Sequence, residues 1–102
     1  MVIVPLDPIP WQSFSIVLGE HKCNISIRQY AESVYCDLES DGEVVFKGRI
    51  CVDRHEINLY PSVNFSGKLV FVDTKGDEAP QYEGFGDRWF LLYFDEDEQY
   101  EF

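Results

Sequence analysis

The stretch Trp11-Gln12-Ser13-Phe14-Ser15-Ile16-Val17-Leu18-Gly19-Glu20-His21-Lys22-Cys23-Asn24-Ile25-Ser26-Ile27-Arg28 decides the fold class. Hydropathy alternates with period two on both sides of Gly19-Glu20, the pattern of two half-buried strands and not of a helix. Phe14, Ile16 and Leu18 share one face of the first strand, and Cys23, Ile25 and Ile27 share one face of the second, Lys22–Tyr30. A two-residue loop at Gly19-Glu20 sets Ile16 opposite Cys23 and Phe14 opposite Ile25, so the two apolar faces coincide. Gly19 suits the first central position of a type II′ turn.

The alternation continues outward in both directions. Downstream, Ser33–Glu39 puts Val34, Cys36 and Leu38 on one face, and Glu43–Val52 puts Val44, Phe46, Gly48, Ile50 and Val52 on one face. A two-residue Asp41-Gly42 loop would oppose Phe46 to Asp37 and misplace the apolar stripe. A three-residue loop, Ser40-Asp41-Gly42, pairs Leu38 with Val44 and Cys36 with Phe46 instead, and ends on a glycine suited to a left-handed residue. Upstream, Val2-Ile3-Val4 is a short strand ended by Pro5, and Leu6–Pro10 is an extended link. Asp53–Lys68 reads as a long connection able to pass between sheets. Leu69–Asp73 is a strand, Thr74–Glu83 a polar loop, and Trp89–Phe94 an unbroken apolar run expected of a strand covered on both sides. Six to eight short strands joined by hairpins predict an all-β domain, a small antiparallel sandwich or closed barrel. The expected division is a β domain over 1–94 and an acidic tail over 95–102.

The chain has 102 residues, 45% hydrophobic and 16% aromatic, enough for one core and against disorder. Nineteen acidic against eight basic residues give a net charge of −11. That balance repels phosphate backbones and anionic membranes, and leaves basic protein surfaces as candidate partners. No charged and apolar leader opens the chain, and Pro5, Pro8 and Pro10 break any helix there.

Catalytic and metal signatures are weak. Cys23, Cys36 and Cys51 are odd in number, lack C-x-x-C spacing and sit in apolar runs, which reads as buried free thiols. A zinc site from these with His21 lacks the spacing of structural zinc. A Cys51–His55 pair four residues apart is no signature outside a helix. Gly84-Phe85-Gly86 lacks the βαβ context of a dinucleotide loop and suits a tight turn or bulge. The acidic tail, Asp95–Glu98 with Glu101, does not follow the calcium-loop pattern. It is either a solvated terminus or a docking arm anchored by Tyr100 and Phe102. No catalytic, cofactor or metal residue is assigned.

A set of short motifs runs in order through nearly the whole chain. They are Val4-Pro5-Leu6, Gln12-Ser13-Phe14, Asp41-Gly42, Gly48-Arg49-Ile50, Asn58-Leu59, Gly67-Lys68-Leu69-Val70-Phe71-Val72-Asp73 and Gly86-Asp87-Arg88-Trp89-Phe90-Leu91-Leu92-Tyr93. In this layout the chain resembles the small baseplate plug family of contractile-tailed bacteriophages. It departs in its first turn, Gly19-Glu20-His21, and in a longer acidic tail. The resemblance implies a non-enzymatic virion component at the tail baseplate, near the axis, assembled in the host cytoplasm. It further implies contact with hub, spike and tube-initiator proteins and association of several copies in the particle; the charge argues against nucleic-acid and membrane partners, and no cofactor is expected.

Trp11, Arg49, Arg54, Arg88, Tyr100 and Phe102 are the candidate interface residues, because aromatic and arginine side chains are enriched where proteins meet. Internal salt bridges are the alternative for each arginine. Competing functions are an acidic DNA mimic that inhibits a host enzyme, and a glycan-binding module using Tyr30, Tyr35, Tyr60 or Tyr82.

Overall fold

The computed structural model describes residues 1–58 and 64–100. Among the described residues, seven strands form two antiparallel sheets, with no closed barrel. They are β1 (Val2–Val4), β2 (Trp11–Leu18), β3 (His21–Tyr30), β4 (Ser33–Ser40), β5 (Glu43–Cys51), β6 (Lys68–Asp73) and β7 (Trp89–Phe94). Strands β2-β3-β4-β5 make a four-stranded hairpin meander, and β1-β7-β6 make the second sheet. The chain is therefore an all-β sandwich. Tyr60 and Leu59 of the sequence reading lie outside the described residues.

The first hairpin has the expected register, with Ile16 opposite Cys23 and Phe14 opposite Ile25. Its turn type differs from expectation. Both Gly19 and Glu20 are left-handed, at φ 55° and 69°, which makes a type I′ turn instead of type II′.

The second hairpin corrects the sequence reading more deeply. Ser40 pairs with Glu43, so the loop is the two-residue Asp41-Gly42, with φ 52° and 83°, another type I′ turn. Leu38 then faces Phe46 and Cys36 faces Arg49, not Val44 and Phe46. Two register shifts reconcile the tight turn with the apolar stripe: β5 carries an extra residue at Val45 and another beside Gly48. Gly48 takes φ 64°, and its N–H donates to Asp37 Oδ1 at 2.7 Å. Parity cannot see a bulge. In consequence Val44, Ile50 and Val52 are exposed, and Cys51 joins Phe46 in the core.

The inner faces of both sheets close one core. Leu18, Ile25, Ile27, Val34 and Leu38 of the large sheet meet Val4, Leu69, Phe71, Leu91 and Tyr93 of the small one, with Phe65 and Phe85 filling between. All three cysteines are buried and free, as the sequence predicts. Hydrogen bonding to Cys51 and burial push the Cys36 thiol well up, so it stays a packed, protonated group.

The connection after β5 crosses from one sheet to the other. Arg54 N–H donates to Phe71 O and Ile57 N–H to Leu69 O, both at 2.8 Å, so residues 53–57 shield the free edge of β6. Buried Asn58 accepts from Leu69 N–H at 3.1 Å and donates to Gly67 O at 2.7 Å, clamping the entry to β6. Gly67 packs against β7 so closely that a Cβ would lie 2.4 Å from Tyr93 Cε1 and 2.5 Å from Phe94 O. Gly67→Ala should therefore lower stability by about 1–3 kcal/mol, the usual range for forced overpacking. A fall in the urea midpoint with unchanged slope checks this.

Candidate protein interface

One carboxylate organises the loop between β6 and β7. Asp73 is 0% exposed and accepts both Nε and Nη2 of Arg88 at 2.8 Å. The N–H groups of Lys75 and Glu78 donate to the same carboxylate at 2.9 Å. Arg88 also reaches Glu78 at 2.9 Å and lies 4.4 Å from the centroid of the Trp89 ring. The paired Arg88, helped by the two backbone donors, holds the Asp73 carboxyl well below the usual carboxylate range, and Asp73 raises Arg88 in return. Arg54 converges on the same place. It pairs with Asp53 and donates to the carbonyls of Asp73 and Gly76 at 3.1 Å. Two of the three arginines singled out in the sequence are thus held by partners within the chain.

Trp11 and Arg49 lie on the four-stranded sheet. Trp11 is 70% exposed at the start of β2. Register sets Trp11, Arg28, Tyr35 and Ile50 side by side across all four strands, a row that alternation within each strand cannot reveal. Arg28 reaches Asp37 at 3.0 Å. Beside the row lies an open groove of about 380 Å³ floored by Ser13, Ser15, Asn24 and Ser26 and bounded by Asp37, Glu39 and Lys47. Arg49 is half-buried and, like Lys22 and Lys47, makes no ion pair among the described residues.

Tyr100 lies at the other side of the molecule. Its ring stacks on Phe94 with centroids 4.1 Å apart, and its hydroxyl donates to Glu56. Burial and the Glu56 carboxylate push the Tyr100 hydroxyl up to about 12. Tyr93 O–H donates to Asp95 at 2.8 Å, Asp95 N–H donates to Glu98 at 2.9 Å, and Glu98 pairs with the N-terminal ammonium. The start of the acidic tail is therefore folded against the small sheet. Phe102 lies outside the described residues.

No three His, Cys, Asp or Glu side chains converge as a metal site among the described residues. His21 binds Asp41 at 2.6 Å and His55 binds the Asp53 carbonyl at 2.7 Å, while the Cys51 thiol points to Arg49 O. The imidazoles and thiols are engaged separately.

A family model described as cyanophage baseplate Pam3 plug gp18 matches residues 1–97. The chain belongs to this plug family. No curated protein matches it. Membership gives the chain a structural role in a phage baseplate, a place in the virion and other baseplate proteins as its associates. No helix among the described residues is long and apolar enough to cross a membrane. The motifs that carried the resemblance are largely the ones this plug uses to build itself. Gln12 staples the proline-rich link by accepting from Asp7 N–H at 3.1 Å and donating to Asp7 O at 2.7 Å. Asp41-Gly42 makes the turn, Gly48 the bulge, Asn58 and Gly67 the entry to β6, and Asp73 with Arg88 the loop to β7.

Asp73 sets the acid response of the fold. A carboxyl whose folded pKa is depressed contributes stability above its unfolded value, about 3.9, and loses it as pH falls through the folded value. Asp37, Asp41 and Glu98 are also held low and add in the same direction. Unfolding free energy, measured by urea titration, should stay level near neutral pH and decline below about pH 4. Asp73→Asn should unfold more easily at neutral pH and show a shallower acid decline; an identical decline would contradict this assignment.

Proposed function

We propose that this plug sits near the axis of a contractile-tail baseplate and is held there by direct contacts with the hub, spike and tube-initiator proteins. The family match over residues 1–97 carries this reading. In this reading assembly takes place in the host cytoplasm, and the buried free thiols suit a reducing compartment. The net charge of −11 keeps the plug from adhering to DNA passing along the tail axis.

Trp11 and Arg49 are the contact residues this proposal favours on the four-stranded sheet, since one is a largely exposed ring and the other a cation without an ion-pair partner among the described residues. Arg54 and Arg88 act behind them by fixing the loop over 73–88, and Tyr100 fixes the start of the tail. Co-expression with the hub, spike and tube-initiator proteins of the same phage should give a stoichiometric complex by native mass spectrometry. A plug that remains alone in the presence of all three contradicts the proposal. Trp11→Ala should weaken the complex by about tenfold or more, as loss of an interface anchor does, without changing the melting temperature.

A further inference from the structure

The two sheets treat their outer faces differently. An antiparallel sheet with one side in water carries polar residues on that side. The four-stranded sheet is mixed, presenting Ser13, Ser15, Asn24, Ser26, Asp37 and Glu39 outward with Trp11, Val17, Val44 and Ile50 set singly among them. The three-stranded sheet departs from the rule. Its outward positions are Ile3, Phe90, Leu92, Phe94, Val70 and Val72, joined by only one polar residue, Lys68. Register makes them contiguous, with Ile3 beside Leu92 beside Val70, and Phe90 beside Val72. None of the six belongs to the core between the sheets.

Among the described residues, Tyr100 stacks on Phe94 at one end of this face, and Val70 on the edge strand, bridged to Glu56, is fully buried. Ile3 remains 52% exposed, and Phe90, Leu92 and Val72 are only half-buried. At the far end, Ile3, Pro5, Phe90 and Gly86 help line a cleft of about 140 Å³, room for an apolar side chain. The part of this face that stays accessible, at Ile3, Phe90, Leu92 and Val72, is the part that marks a protein contact.

Charge says what kind of partner fits. Residues 11–51, which span the four-stranded sheet, hold six acids and four bases; the rest of the chain holds thirteen acids and four bases. Glu56 and Glu98 flank Tyr100 in an open recess, and Asp95, Glu96 and Asp97 stand exposed beside it. Lys68, the one cation of the face, is already within 3.9 Å of Glu56. Two copies packed through this face would oppose acidic rim to acidic rim, which costs stability.

We propose that the outer face of the three-stranded sheet docks a neighbouring baseplate protein whose own surface has an apolar centre and a basic rim, with one of its aliphatic side chains entering the cleft beside Ile3 and Phe90. This rests on the reading of the chain as a baseplate component in direct contact with its neighbours.

The test uses the full chain co-expressed with the other baseplate proteins of its phage. Ile3→Asp should weaken the complex by about tenfold or more, while the control Val17→Asp, an exposed position at the opposite end of β2 from Trp11, leaves it intact. The double charge reversal Glu96→Lys with Asp97→Lys, which touches no packed residue, should weaken association at low salt and lose its effect at high salt. Circular dichroism and melting of each variant establish that it is folded, and the charge reversal reads the proposal even if Ile3→Asp fails to fold. Full binding by folded Ile3→Asp overturns the proposal, as does a charge reversal without effect. So does self-association of the isolated chain that Ile3→Asp abolishes, because the occupant is then a second copy. A wild-type chain that binds no neighbour overturns the baseplate-contact reading itself, whereas loss of binding in Val17→Asp but not in Ile3→Asp overturns only the docking face proposed here and leaves that reading standing.

Discussion

Strand β7 is the constraint on which the rest of the molecule depends. It lies between β1 and β6, and Trp89-Phe90-Leu91-Leu92-Tyr93-Phe94 is apolar on both of its sides. Trp89, Leu91 and Tyr93 point into the sandwich and close it against the hairpin sheet. Phe90, Leu92 and Phe94 point away, and among the described residues Tyr100 folds over the last of them. A strand with two apolar faces needs two coverings. The first is the fold and the second, in our account, is the baseplate. The Asp73–Arg88 pair and the close approach of Gly67 hold β6 against this strand, so the features that stabilise the domain also fix its outer face.

Much of this was legible in the residues. The boundaries of β1, β2 and β7 follow from Pro5, the alternation after Pro10 and the apolar run from Trp89. The first hairpin register follows from matching Phe14, Ile16 and Leu18 to Ile25 and Cys23. What alternation alone could not supply was the pairing of β4 with β5. Two bulges restore the parity that a tight Asp41-Gly42 turn breaks, and only the left-handed Gly48 hints at one of them. The turn type at Gly19 failed for a related reason: glycine fits both mirror-image turns, and the left-handed conformation of Glu20 is not written in its side chain.

The candidate contact residues were partly legible. An arginine in an acidic chain has either an internal carboxylate or an external one, and sequence spacing does not say which. Arg88 found its carboxylate at Asp73, fifteen residues away in the chain, and Arg54 found its own at the adjacent Asp53. Trp11 reads as exposed because it opens an alternating strand on the polar phase. The outward face of β7 was signalled by its unbroken hydropathy, but the neighbours that complete it, Ile3 and Val72, become adjacent only through strand order. Charge follows the same division: the segment of the hairpin sheet is nearly balanced, and most acids lie in the rest of the chain, which carries the sheet whose outer face is apolar but for Lys68.

The most direct measurement is hydroxyl-radical footprinting of the free chain against the assembled baseplate. Ile3, Phe90 and Leu92 should be oxidised in the free chain and protected in the particle. Equal labelling of these three side chains in both states would contradict the account.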